Sequence, residues 1–275
     1  MAQRIPNCLS IAGVDPSGGA GIFADIKAMS ACGVYAAGVV TALTAQNTCG
    51  VAGVSAVSPD FVTAQLETLF SDVEIDAVKI GMLADPAVIR AVAAGLVRHR
   101  PAWIVLDPVM VAKSGDRLLR EDALEALKTE LVPLADIITP NLPEAEALLG
   151  RRIQGKEDML EAARALFLLM RTTRGGVLLK GGHLAVQESA CDLFYDGREV
   201  HWFDSPRFAT KNTHGTGCTL SSALAANLAK TGDAVTGIGR TKRYMTAAIK
   251  AADSLSVGHG HGPVAHFTGV KSPFF

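Results

Sequence analysis

The segment Lys211-Asn212-Thr213-His214-Gly215-Thr216-Gly217-Cys218-Thr219-Leu220-Ser221-Ser222-Ala223 holds residue types suited to handling a phosphate. Gly215 and Gly217 let the backbone approach an anion closely, and they lead into an Ala/Leu-rich run, 223–229, that reads as a helix. A helix N-terminus presents unpaired N–H groups with a partial positive charge, so the expected occupant is a phosphate. Cys218 falls at the first helical turn, where the same field favours the thiolate. A phosphate cradle beside an ionised nucleophile or base is apparatus for phosphoryl transfer. The competing reading is a glycine turn that starts a structural helix, with Cys218 as a small apolar residue.

Other residues could serve the same chemistry. Lys180 ends an apolar strand just before Gly181-Gly182, so its ammonium would emerge at the strand end as a point charge for a transferring phosphate. The alternative is a lysine that snorkels to solvent. Asn141 and Glu144 stand three apart across a helix start, and their oxygens suit Mg²⁺, directly or through water. A helix-capping pair is the plainer alternative. Asp107, at a strand end before Pro108, could add a carboxylate to the metal's outer shell.

Elements that could position these groups alternate along the chain. Short runs rich in Ile, Val and Leu at 8–12, 38–42, 77–80, 103–106, 136–138 and 177–179 read as buried strands. Helical segments are expected at 20–31, 59–70, 86–98, 121–131, 143–149 and 158–171. Pro59, Pro86 and Pro143 suit first-turn positions. Ser58 and Asp85 suit N-caps. Residues 191–195 and 198–203, joined at Asp196-Gly197, read as an antiparallel hairpin. Two long helices, at about 219–230 and 233–256, close the pattern.

Alternation predicts an α/β fold: a largely parallel central sheet with helices on both faces and a small antiparallel hairpin. In such sheets ligands bind beyond the carboxyl ends of the strands. Gly13-Val14-Asp15, Gly81-Met82, Asp107-Pro108, Asn141 and Gly181-Gly182 all follow predicted strands. That shared edge predicts a single active site, whereas structural turns would scatter their glycines over both edges. With no linker, low-complexity tract or repeat in the chain, a single domain over residues 1–275 is expected.

Bulk properties exclude several classes. The 26 Lys+Arg against 27 Asp+Glu leave no basic excess for a general nucleic-acid binder. The cluster Arg240, Lys242 and Arg243 reads as a solvated helix face, with nucleotide phosphates as the alternative neighbour. Five scattered cysteines form no metal or C-x-x-C spacing and fit a reduced cytoplasmic protein. No signal-peptide core or membrane-length apolar run is seen. Gly18-Gly19-Ala20-Gly21 lacks dinucleotide-fingerprint spacing, and no Walker-A lysine is present.

Taken in order, Asn7 to Gly21, Lys79-Ile80-Gly81-Met82-Leu83, Asp107-Pro108-Val109-Met110, Thr139-Pro140-Asn141-Leu142-Pro143-Glu144-Ala145, Leu179-Lys180-Gly181-Gly182-His183 and the Gly-Thr-Gly-Cys segment resemble the hydroxymethylpyrimidine/phosphomethylpyrimidine kinases of thiamine biosynthesis. These belong to the ribokinase-like superfamily. The resemblance runs from about Leu9 to Gly260, and Cys218, where sugar kinases carry aspartate, narrows it to the vitamin-kinase branch.

The resemblance implies an ATP- and Mg²⁺-dependent kinase of 4-amino-5-hydroxymethyl-2-methylpyrimidine and its monophosphate. It makes Gly215, Gly217, Cys218 and Lys180 catalytic, and adds Asn141, Thr213 and Thr216 to the ATP phosphate contacts. Glu144 and Asp107 fall to the metal, if only through water. It places Gln46, Met82, Val109, Gly13 and Asp25 at the pyrimidine. The amide of Gln46 offers donor and acceptor to an aminopyrimidine edge, and Met82 and Val109 would pack on the ring faces. Residues 258–262 become a glycine loop near the nucleotide rather than a histidine metal site. Pyridoxal is the alternative substrate, alone or as a second one, and a pyrimidine-binding sensor is the non-enzymatic alternative. Neither a nucleic-acid nor a membrane partner is expected, and family habit points to a homodimer.

Overall fold

The computed structural model describes residues 4–110, 121–182 and 189–268. One nine-stranded sheet carries all the described strands: β1 (Asn7–Val14), β2 (Tyr35–Gln46), β3 (Val51–Ala56), β4 (Ala77–Ile80), β5 (Trp103–Leu106), β6 (Ile137–Ile138), β7 (Gly176–Leu179), β8 (Ser189–Tyr195) and β9 (Val200–Pro206). Their spatial order is β3-β2-β1-β4-β5-β6-β7-β8-β9. Pairings from β2 through β7 are parallel, while β3, β8 and β9 join antiparallel.

Among the described residues the α-helices α1 (Gly21–Ala31), α2 (Pro59–Phe70), α3 (Pro86–His99), α4 (Glu121–Ala126), α5 (Leu142–Leu149) and α6 (Lys156–Phe167) lie between strands, and α7 (Thr216–Thr231) and α8 (Ala234–Lys250) follow the last one. Their starts follow local chemistry. Ser58 accepts from Phe61 N–H and Asp85 from Ala87 N–H, each just before a first-turn proline. The helix expected over 121–131 leaves α geometry after Ala126, passing through a π turn and then a 3-10 turn at Val132–Leu134 that contains Pro133. A proline there has no N–H to continue the α ladder.

Strand pleating sorts side chains to the two faces. Leu9, Ile11, Val78, Ile80, Ile104 and Leu106 pack with the helices α2 to α6. On the other face Cys8, Ala77, Trp103, Val105 and Ile137 pack with α1, α7 and α8. Such strands are largely apolar because helices cover both faces, with Lys79 in β4 the charged exception.

Two departures from expectation bear on the site. β2 runs on to Gln46, so this residue ends a strand instead of standing in a loop. β3 was not anticipated, because five of its six residues are exposed and no apolar run marks it. The chain runs from β1 to β2 on one side, then returns to β4 on the other side of β1. That reversal puts the topological switch point between β1 and β4, where ligands of open α/β sheets bind.

Candidate active site

A cleft of about 1160 Å³ opens at the carboxyl edge of the sheet. Gly13, Gln46, Met82, Asp107, Val109, Asn141, Glu144, Lys180, Thr213 and Gly215 through Cys218 all line it. The expected convergence therefore holds for every candidate except Asp25, which is wholly buried beneath the cleft. Its carboxylate accepts from Lys79, Ser10 and Ser222, so it cannot meet a pyrimidine. His183 lies outside the described residues.

The cradle is a helix start that no side chain caps. α7 begins at Thr216, three residues earlier than expected, so Gly217 and Cys218 form its first turn. Gly215 precedes it at φ +71°, and a Cβ there would come within 1.8 Å of the Gly19 carbonyl oxygen. Only glycine combines that left-handed backbone with that approach. Thr216 directs its hydroxyl back to the Thr213 carbonyl at 2.7 Å, which folds the entry turn. The uncapped N-terminal amides and the helix dipole favour an anion at this end.

Cations stand beside it. Lys180 follows β7 and is held against Asn141 by a parallel bridge, its N–H donating to the Pro140 carbonyl. Its Nζ lies 3.0 Å from Asp107 Oδ1, 4.0 Å from Glu144 Oε2 and 3.4 Å from the point a Cβ on Gly217 would occupy. Burial works against the Lys180 charge, but Asp107 and Glu144 more than offset it and raise its pKa. Burial likewise opposes ionisation of Asp107, which Lys180 and Lys79 nevertheless hold below the ordinary carboxylate range.

Asn141 and Glu144 form a reciprocal capping box at the start of α5 while also facing the cleft. The capping reading is therefore met, by a pair that also lines the cleft. Burial pushes the Glu144 carboxyl up to about 7, with Lys180 opposing and Asp107 adding to the rise. A cation beside Glu144 would relieve that desolvation, so this carboxylate fits a Mg²⁺ site. Asp107 fits less well: Lys180, Thr139 and Ser221 already donate to its oxygens. Its observed part is to fix Lys180. Among the described residues no three His, Cys, Asp or Glu side chains gather as a metal site, so phosphate oxygens would have to complete the coordination.

The thiolate expectation for Cys218 is overturned. Its thiol is pushed up to about 11, chiefly by burial, with Asp25 and Asp107 adding and Lys79 opposing. Desolvation outweighs the helix field here, and Cys218 stands in the cleft as a neutral thiol. If thiolate were the working base, log kcat would climb with unit slope between pH 6 and 9. A profile without that limb is expected, and initial rates across the range decide it.

At the other end, Gln46 lies with its Oε1 3.1 Å from the Thr44 hydroxyl, which also contacts the Val14 carbonyl. Thr41 fixes Met82 through its carbonyl, and a Cβ on Gly13 would approach Met82 Sδ to 3.3 Å. Gln46 thus offers a polar group, and Met82 and Val109 apolar ones, to the same cleft. Sequence reasoning missed Asp15 and His214, which also line the cleft. His214 Nε2 stands 2.7 Å from Asp15 Oδ2 and ties the β1–α1 loop to the cradle. The far end is lined by Phe208, Leu220, Met245 and Ile249. Lys242 reaches this end too, but Asp192 pairs with it at 2.5 Å. The segment 258–262, expected near the nucleotide, does not itself line the cleft, and its Gly262 carbonyl accepts from the N–H of His214, which does. The segment's amides bond Thr48 and Asn212, and His261 faces the Lys211 carbonyl.

His266 steadies the same helix start: its Nε2 meets Thr219 Oγ1 at 3.0 Å. Burial first, then Lys27 and His214, lower it from 6.5 to about 4. The unfolded chain therefore binds a proton the folded chain refuses. Stability present above the unfolded value is lost as pH falls towards the folded one, by about 2 kcal/mol at pH 5. Urea unfolding of the wild type and His266→Gln at pH 7 and 5 checks this: the wild type should lose that much more, and parallel losses would contradict it.

A largely parallel α/β sheet whose carboxyl edge joins an uncapped helix start and a paired lysine in one cleft is the arrangement of a small-molecule kinase. Comparison with known proteins agrees. The phosphomethylpyrimidine kinase family model matches residues 15–265. A hydroxymethylpyrimidine/phosphomethylpyrimidine kinase of Rhizobium meliloti is 53% identical over 259 residues, covering 94% of this chain and 96% of that protein. Among solved structures, the Bacillus subtilis pyridoxal kinase in its ADP complex has a TM-score of 0.87 at 35% identity, covering 96% of this chain and 98% of that one. The Clostridium difficile phosphomethylpyrimidine kinase has a TM-score of 0.78 at 40% identity, covering 89% and 99%. The chain belongs to the phosphomethylpyrimidine kinase family, on a ribokinase-like fold.

Proposed function

We propose that this chain transfers the γ-phosphoryl group of ATP to the hydroxymethyl oxygen of 4-amino-5-hydroxymethyl-2-methylpyrimidine, and then a second one to the monophosphate. The observation that carries the reading is the cleft at the carboxyl edge of the sheet. It brings the uncapped turn at Gly215-Thr216-Gly217-Cys218 and Lys180 together with Gln46, Met82 and Val109 and with the apolar Met245 and Ile249.

The pyrimidine lies between Met82 and Val109 with its amine and ring nitrogen on Gln46, and Gly13 leaves room beside Met82. Adenine takes the apolar end near Met245 and Ile249. Asn141, Thr213 and Thr216 flank the phosphates. The substrate oxygen bonds to the γ-phosphorus as the bridge to the β-phosphate breaks, ADP departs, and the alcohol proton passes to phosphate or solvent. Lys180 and the amides of Gly215 and Gly217 stabilise charge shifting onto the transferring group and the bridging oxygen. A loose transition state asks little of a base, which agrees with Cys218 as a neutral thiol wall. Glu144, through water, and the nucleotide phosphates would hold Mg²⁺, which supplies charge neutralisation.

Five free cysteines fit a reducing cytoplasm, and no described helix is long and apolar enough to cross a membrane. The second reading, pyridoxal phosphorylation, draws on the Bacillus subtilis neighbour, but at lower identity. Steady-state kcat/KM for the hydroxymethylpyrimidine, its monophosphate and pyridoxal separates the two. The pyrimidines should lead by at least about tenfold, the scale of one hydrogen-bonding edge; pyridoxal in front would overturn the assignment.

Gln46 supplies a sharper check of the slot. Gln46→Leu leaves the pyrimidine amine and ring nitrogen unpaired, at a cost of about 1–3 kcal/mol, or roughly 5- to 150-fold in affinity. Pyridoxal presents a phenolic oxygen and an aldehyde instead, so its kcat/KM should fall less. Equal losses would make Gln46 a general support of the slot, and no loss would remove it from the site.

A further inference from the structure

Lys79 is among the largest wholly buried side chains of the described residues, and nothing in the reaction above uses it. It points from the centre of β4 towards α1 and α7, running up under Gly81, where an added Cβ would meet its Nζ at 2.7 Å. Nζ donates to both oxygens of Asp25 on α1, at 2.8 and 2.7 Å. Ser10 on β1 donates to Asp25 Oδ2 at 2.6 Å, and Ser222 on α7 donates to Oδ1 at 2.7 Å. All four side chains are fully buried.

A buried ion pair is a poor source of stability, because desolvating two charges offsets their attraction. Its geometry supplies another reason for it. Ser222 lies four residues after Cys218, one helical turn along α7, and on the same face. The neighbouring Ser221 reaches Asp107, the partner of Lys180. Two adjacent serines thus tie the opening turns of α7 to two Lys–Asp pairs, one in the cleft and one under it.

We infer that the Lys79–Asp25 pair is a positioning device for phosphoryl transfer: through Ser222 it sets the height of the first turn of α7, and with it the cradle amides and the Cys218 thiol. The inference rests on the kinase reading only for what the cradle does.

Two variants test it. Ser222→Ala cuts the tie and leaves the ion pair. Lys79→Met/Asp25→Leu removes the pair without stranding a charge, a kind of swap that folds well elsewhere. In each, kcat should fall by about tenfold or more, with KM for pyrimidine and ATP within about twofold, as displacement of the reacting groups predicts. Amides of 215–222 should exchange faster with deuterium, while the slowest core amides of the sheet keep wild-type protection. Ser222→Thr, which restores the hydroxyl, should recover most of kcat. Wild-type exchange over 215–222, or kcat within about twofold of wild type in Ser222→Ala, overturns the inference. The exchange readout needs no substrate, so a wild type inactive on pyrimidine would count against the kinase reading alone.

Discussion

Replacing Lys180 with alanine is expected to lower kcat by about 10²- to 10³-fold while shifting the KM for pyrimidine by less than about threefold. The ammonium is held by Asp107 at 3.0 Å and backed by Glu144, and it stands over Gly217. A charge so placed gains most when negative charge moves towards the bridging oxygen, and that change occurs on the way to the transition state. Alanine also leaves Asp107 and Glu144 without the ammonium they share, with only the more remote Lys79 acting on Asp107, so some loss of stability accompanies the loss of rate. Arginine should not restore activity, because a guanidinium is wider than the space against Gly217 and spreads its charge over a plane. A rise in pyrimidine KM at unchanged kcat would remove Lys180 from the phosphate site.

Gly215→Ala is expected to be nearly as damaging, through the backbone alone. At φ +71° an L side chain costs about 1–2 kcal/mol. The methyl would also fall on the Gly19 carbonyl oxygen, so the β1–α1 loop and the cradle must move apart. That movement strains the His214–Asp15 contact, which spans the same two segments. Because a displacement of about 1 Å at a reacting centre costs on the order of 10²-fold, kcat/KM should drop at least that far. Kinetics together with a thermal melt make the check. A folded variant with kcat/KM within about threefold of wild type would show that the cradle does not depend on this approach.

Much of this site could be read from the chain because its residues announce themselves locally. Glycines, Lys180, Asn141 and Asp107 all stand at the ends of short apolar runs, and parallel topology sends such ends to one edge. The hidden parts are those that depend on which elements neighbour one another. Nothing near Asp15 in sequence foretells His214, 199 positions away. Asp25 was misplaced at the substrate because its partners come from three other elements. One signal was available: Lys79 interrupts an otherwise apolar strand, and a charge in a strand covered on both faces demands a buried counterion. β3 was invisible for the opposite reason, since an exposed edge strand needs no apolar residues. The Cys218 thiol was misjudged because a helix field can be read from sequence, whereas desolvation depends on the packed surroundings.

The central claim is that one cleft carries out both phosphorylations, and product analysis tests it most directly. Purified protein, the hydroxymethylpyrimidine and excess ATP with Mg²⁺ should be followed by phosphorus NMR and mass spectrometry. A monophosphate ester should appear first and then give way to a pyrimidine diphosphate with a phosphorus–oxygen–phosphorus linkage, two ADP being formed per pyrimidine consumed. Lys180→Ala should slow both stages together. A reaction that stops at the monophosphate under excess ATP, or a Lys180→Ala variant that loses one stage and keeps the other, would contradict it.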